Sequence, residues 1–246
     1  MDISFESILN ARELGGIPTE DGRRVKPNLL FRTAGLGKAT DADVAKLAGY
    51  GVKAIFDLRD EYEYARIADR PVPGARHIHL IPLPMEEAGG PTAEIRRDTF
   101  LADPAAFFPG IYRYMALHSA PAYEKFFAEL LSLQGAPVLW HCTQGKDRTG
   151  LAALLLLTVL NVSRERIVAD YLYSNVAFEA EYAEKSPSLT PFERDAYRYI
   201  FFVREENLLL YLRLVEEQFG SLDQYIRQAL HVSDADRARL QAWYLD

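Results

Sequence analysis

The chain reads as an α/β domain with a central, mainly parallel sheet flanked by helices. Three observations predict this. Short apolar strand-like runs alternate with helical patterns, the arrangement that places a parallel sheet between helices. One unit, from Pro137 to Asn161, is a proline-led apolar strand, a tight loop and a continuously apolar helix in succession. The composition of the 246 residues, 49% hydrophobic and 26% charged, is that of a globular chain long enough for one large domain, residues 1–246, with a substantial core.

The elements follow in order. Asn10-Ala-Arg12-Glu-Leu14-Gly15-Gly16 is a loop, since paired glycines interrupt regular structure. Thr19 to Gly22, then Arg23 to Lys26 and Asn28 to Arg32, read as a turn and two short strands. Thr40 and Asp43 have the spacing of a capping box, opening a helix that Gly51 closes. Val52 to Leu58 is a buried strand, and His77 to Leu83 a further one broken by Pro82 and Pro84. Residues 84–104 form a polar excursion near the site. Pro109 to Leu117 and Ala122 to Leu133 have amphipathic helical spacing. After the Pro137–Asn161 unit, Ser163 caps a helix to about Asn175.

Residues 176–204 change character, mixing charge with many aromatics, and Thr190-Pro191 is a good helix start. They are expected either to form a helical lid over the site or to complete the core, the common fate of aromatic stripes. Three helices, Glu205 to Phe219, Ser221 to Leu230 and Ser233 to Tyr244, complete the chain.

The chemistry centres on the loop His141-Cys142-Thr143-Gln144-Gly145-Lys146-Asp147-Arg148-Thr149-Gly150. A loop running into a helix aims backbone N–H groups and the positive end of the helix dipole at one point, an anion cradle. Cys142, beside those donors and a guanidinium, is expected to be held as the thiolate, the form that attacks. Arg148 offers a planar fork that binds phosphate oxygens in pairs. A nucleophile and an oxyanion clamp in one loop suggest attack of sulfur on phosphorus, giving a phosphocysteine that water hydrolyses. Because ligands lie beyond the carboxyl ends of parallel strands, Asp57-Leu58-Arg59 and His141-Cys142 should share one rim.

Cys142 and Arg148, with five residues between them, His141 before and Thr149-Gly150 after, resemble the signature loop of the cysteine-dependent protein tyrosine phosphatase superfamily. The Gly-Lys-Asp-Arg core resembles its bacterial and fungal tyrosine and dual-specificity branch. The Asn10–Gly16 element, with Glu13 where that branch has Asp, and Asp57-Leu58-Arg59 with nearby Glu61 and Glu63 are similar to two further segments of it. The resemblance implies a tyrosine phosphatase, with activity on phosphoserine, phosphothreonine or phosphoinositides open. It also implies that Asp147 is the general acid, with Asp57 as runner-up or a structural partner of Arg59 or Arg12.

Thr143, Gln144 and Gly145 complete the cradle. Thr149 is expected to donate its hydroxyl to the thiolate, cap the helix, or do both. His141 is expected to orient the strand end rather than act as a base. Lys146 at the loop's edge either holds a second phosphate or solvates the rim. Asn10, Arg12 and Arg59 are expected to brace the loop from behind.

The net charge of −7 argues against a nucleic-acid partner and against constitutive attachment to anionic lipid. No secretory signal is visible at the N-terminus, and the apolar run from Leu151 to Leu160 is about half the ~20 residues a membrane span needs. A single cysteine fits a reducing, cytoplasmic compartment, with secretion by another route left open. It excludes relays that need a second thiol, so Cys142 depends on burial or a lid for protection. No metal or organic cofactor is implied, and His77, His79, His118, His141 and His231 show no compact ligand set. The expected partners are a phosphotyrosyl protein or phosphoinositide, with phosphate or sulfate in the loop. The rivals are an inositol-phosphate or phosphoinositide phosphatase, an inactive phosphate-binding module and, more distantly, a sulfurtransferase.

Overall fold

The strand that carries the signature loop, β5 (Val138–His141), stands at the centre of a five-stranded sheet. The structure is a computed structural model that describes residues 3–83 and 102–246. Before β5 come β1 (Arg12–Glu13), β2 (Leu30–Thr33), β3 (Ala54–Asp57) and β4 (Arg76–His79). The spatial order is β1-β2-β5-β3-β4, with β1 antiparallel to β2 and every other pairing parallel. The chain passes from β2 to β3 and leaves the place between them for β5. Strand order therefore reverses at β5, where parallel sheets open a crevice. Thr33, His141 and Asp57 stand side by side there.

Alternation along the strands divides the core in two. Leu30, Ala54, Phe56, Val138 and Trp140 face one apolar cluster, and Phe31, Ile55 and Leu139 face the other. The second face is covered by α1 (Asp41–Gly49) and the N-terminal arm. Thr40 and Asp43 form the expected capping box, and Asp43 also accepts from the Glu6 and Ser7 amides at 2.7 and 3.1 Å, tying down that arm.

The first face carries most of the helices. These are α3 (Pro104–His118), α4 (Ala120–Ser132), α5 (Asp147–Val159), α6 (Arg164–Tyr173), α9 (Glu205–Phe219), α10 (Leu222–Gln228) and α11 (Asp234–Tyr244). The short α2 (Glu61–Arg66) follows β3, and α7 (Val176–Lys185) and α8 (Pro191–Phe201) make a hairpin. In α5 every residue from Thr149 to Leu157 is buried, as its all-round apolar sequence requires.

Three elements differ from the sequence reading. Arg23 to Lys26 is not a strand but two isolated bridges, one joining Val25 to Leu245 at the far end of the chain. The strand at 77–83 stops at His79. Helix α3 starts at Pro104 rather than Pro109, because Asp103 caps it through the Ala106 amide at 3.0 Å and Pro104 supplies the favourable first position. The extra turn brings Phe108 into α3, with consequences for the site. The expected excursion at 84–104 lies, as far as residue 101, outside the described residues.

Within the α7–α8 hairpin, Phe178, Tyr182, Tyr197 and Phe202 pack around Phe201 and one another. Asn175 closes its base, accepting from the Val203 amide at 2.7 Å and donating to the Val203 carbonyl at 3.1 Å.

Candidate active site

The signature loop is folded by its own sequence. Gly145 has φ +66°, and a Cβ there would lie 2.1 Å from the Thr33 carbonyl oxygen, so only glycine lets the loop cross the end of β2. The first bond of α5 runs from the Gly150 amide to the Lys146 carbonyl at 2.9 Å, so the amides before it are not used by the helix. Trp140 Nε1 donates to the Thr149 carbonyl at 3.1 Å and the Tyr123 hydroxyl to the Arg148 carbonyl at 3.1 Å. Strand and helix are thereby fixed around the turn.

Above the loop lies a cleft of about 170 Å³ lined by Cys142, Thr143, Gln144, Asp147 and Arg148, with Asp60, Glu63, Leu83, Phe108 and Ile111 opposite. Cys142, the free thiol, is buried at its floor. The apolar wall comes from Leu83 and α3. None of residues 176–204, the expected lid, lines the cleft.

Arg148 is held by a residue the sequence reading did not assign. Glu63 accepts from both terminal nitrogens of Arg148, one at 2.9 Å, and from the Thr143 hydroxyl at 2.5 Å. Burial favours the neutral Glu63 carboxyl, but the charge and hydrogen bonds of Arg148 outweigh it and bring the group to about 2. The same partnership, working against burial, raises Arg148 well above its ordinary value. Glu63 is aimed by its place in α2, where Asp60 and Glu63 form a reciprocal capping box. That Asp-x-x-Glu spacing was the available signal.

Asp147 occupies the first position of α5 and lines the cleft. The Tyr112 hydroxyl donates to its Oδ1 at 2.7 Å, and Lys146 Nζ lies 3.0 Å from its Oδ2. Lys146 is not at the rim. It is buried, its ammonium paired with Asp147 and lying 4.8 Å from the centre of the Phe108 ring. Thr149 is not the cap of α5 either, because the helix starts two residues earlier and Lys146 holds the capping position. Its hydroxyl is buried and has no hydrogen-bond partner among the described residues.

Beneath the loop two polar networks meet it. Asn10 donates to the Gln144 and Gly145 carbonyls at 3.0 and 2.9 Å and accepts from Arg12 at 2.6 Å. Arg12 continues to Asp170 on α6, which also binds Arg32, and Arg32 donates to the Gly145 carbonyl at 2.9 Å. Burial and the neighbouring Arg12 bring Arg32 down to about 10, against the pull of Asp170, so it stays charged at neutral pH. Burial opposes the charge on Asp170, but the two guanidinium groups hold its carboxyl below the usual range.

In the second network, Arg59 donates to both oxygens of Asp57 and pairs with Asp69 at 3.1 Å, and Asp69 lies 2.8 Å from His141 Nε2. The sequence places Asp57 and Arg59 at the correct strand end. Their side chains, however, are buried behind the loop and line no part of the cleft, so Asp57 is the partner of Arg59. Asp57, Asp69 and His141 bring ligand atoms within 4.8 Å of one another. The cation between the two carboxylates is the Arg59 guanidinium. Arg32, Asp69 and Asp170 carried no motif; only the fold brings them to the loop.

A buried cysteine and a braced arginine thus share one loop at the start of a buried helix, the end where amides and dipole favour negative charge. A family model described as "Tyrosine phosphatase family" matches residues 3–246, and the chain belongs to that family. It is a hydrolase of the protein-tyrosine-phosphatase class. Among its relatives, a protein of Cupriavidus necator named as a candidate tyrosine-protein phosphatase is 31% identical over 99% of this chain and 88% of its own. The triple specificity protein phosphatase PtpB of Mycobacterium tuberculosis is 28% identical over 83% of this chain and 87% of its own. A tyrosine-protein phosphatase of Nostoc commune is 34% identical over 66% of this chain and 52% of its own.

Proposed function

We propose that the enzyme hydrolyses phosphotyrosine through a phosphocysteine intermediate formed on Cys142. The observation that carries this reading is that Cys142, Asp147 and Arg148 line one small cleft at the start of α5. Arg148, held by Glu63 at both terminal nitrogens, binds the phosphoryl oxygens through its remaining N–H groups together with the loop amides from Thr143 onward. The Cys142 thiolate attacks phosphorus as the ester P–O bond breaks, and the Asp147 carboxyl gives its proton to the leaving tyrosyl oxygen. In the second step a water oxygen attacks phosphorus, the S–P bond breaks, and Asp147 takes the water's proton. Inorganic phosphate leaves and the thiolate is restored.

Lys146 supports a protein substrate over a phosphoinositide, because its ammonium is already committed to Asp147 and Phe108. The name of the mycobacterial relative supports including phosphoserine and phosphothreonine among the substrates. A cytoplasmic location rests on the single reduced cysteine. Among the described residues no helix is long and apolar enough to cross a membrane.

The test is phosphate release from matched phosphotyrosine, phosphoserine and phosphothreonine peptides and from phosphoinositides, with Cys142→Ser as control. Phosphotyrosine is expected to lead and the serine variant to be inactive. A variant that keeps turnover would remove Cys142 as nucleophile, and leading phosphoinositides would replace the protein substrate with a lipid one.

A further inference from the structure

We propose that Tyr112 and Tyr171 form a positioning dyad that holds the Asp147 carboxyl for proton transfer, an inference that rests on the reading of Asp147 as the acid. Asp147 has no neighbour in its own loop that fixes its Oδ1. The hydroxyl of Tyr112 on α3 does so at 2.7 Å, and its own oxygen lies 2.6 Å from the hydroxyl of Tyr171 on α6. Both tyrosines are buried.

The direction of the bonds follows from the donor count. A carboxylate only accepts, so the Tyr112 proton points at Asp147 and the Tyr112 oxygen takes the proton of Tyr171. Burial first, and then the charge of Asp147, raise both phenols well above their ordinary value, so each remains a donor throughout turnover. Neither tyrosine lines the cleft, which separates them from residues that touch substrate. With Oδ1 fixed and Lys146 beside Oδ2, the torsion of Asp147 is set from both sides. Helix α3 thus contributes both the apolar wall of the cleft, through Phe108 and Ile111, and the anchor of Asp147, through Tyr112. The Tyr171 hydroxyl also lies 3.4 Å from the Arg204 carbonyl, a longer approach that its one proton, given to Tyr112, does not bridge.

The experiment compares phenyl phosphate, a poor leaving group, with 4-nitrophenyl phosphate, an activated one, in the full-length wild type, Asp147→Asn, Tyr112→Phe and Tyr171→Phe. Proton donation matters for the first substrate and little for the second, so a general structural defect lowers both equally. Asp147→Asn is expected to lose about a hundredfold in kcat on phenyl phosphate and far less on the activated ester. Tyr112→Phe is expected to lose about five- to tenfold on phenyl phosphate, within the net worth of one ordinary hydrogen bond, and less than about twofold on the activated ester. Tyr171→Phe, which removes only the donor to Tyr112, should show the same pattern at smaller amplitude, and it carries the test if Tyr112→Phe does not fold. If Asp147→Asn keeps its leaving-group dependence while both tyrosine variants lose equally on the two esters, or lose nothing, the dyad is overturned and the acid stands. If Asp147→Asn itself loses equally on both, the acid assignment falls and the dyad with it.

Discussion

Replacing Glu63 with Gln keeps the shape of the side chain and one acceptor but removes the charge that faces Arg148. A carboxyl brought from its ordinary 4.5 to about 2 has its ionised form favoured by about 3 kcal/mol over the neutral one. The Glu63 side chain is 23% exposed and that of Arg148 11%, so solvent screens the pair only partly, and losing one partner leaves a largely buried guanidinium unpaired. We therefore expect Glu63→Gln to lower stability by about 2–3 kcal/mol at neutral pH in urea unfolding. The folded-state value lies below the unfolded one, so this contribution is fully present above about pH 4.5 and is lost as pH falls toward 2. Repeating the unfolding near pH 3.5 should narrow the gap between wild type and variant by roughly 1–1.5 kcal/mol. A gap below about 0.5 kcal/mol at neutral pH, or one of the same size at both pH values, would refute the argument that this ion pair is a net anchor. Arg148 without its brace should also bind phosphate less well, seen as a rise in the inhibition constant of inorganic phosphate.

Asp170→Asn leaves Arg12 and Arg32 sharing a neutral partner in a buried setting, and should cost about 3–5 kcal/mol in chemical denaturation, with weaker phosphate binding because Arg32 holds the Gly145 carbonyl. Gly145→Ala meets both a left-handed backbone and a 2.1 Å clash with the Thr33 carbonyl; it should abolish turnover and lower the unfolding midpoint by an amount worth more than about 2 kcal/mol. Asn175→Ala removes both bonds that close the α7–α8 hairpin and should raise hydrogen exchange in residues 176–202 while leaving the sheet protected.

What could be read from the sequence and what could not divide along one physical line. The tight loop before α5, the capping box at Thr40 and the three terminal helices depend on contacts within a few residues, and local spacing reports such contacts directly. Asn10 and Arg12 were legible too, because their element has a recognisable order of residues; Asn10 holds the loop from beneath and Arg12 holds Asn10. Glu63 lay in view as the third residue of a capping box, but nothing local says that its carboxylate must turn toward Arg148, eighty-five positions later. Tyr112, Tyr171, Arg32 and Asp170 sit in ordinary helical or strand patterns, where a tyrosine reads as packing and a charge as solvated surface. Their roles arise because β5 is inserted between β2 and β3, which brings the ends of three strands and the faces of α3 and α6 to one loop. Cys142 and Arg148 are thus local in sequence, whereas the groups that hold Arg148 and Asp147 are supplied by topology. A change in those distant groups should alter the precision of the chemistry before it alters its kind.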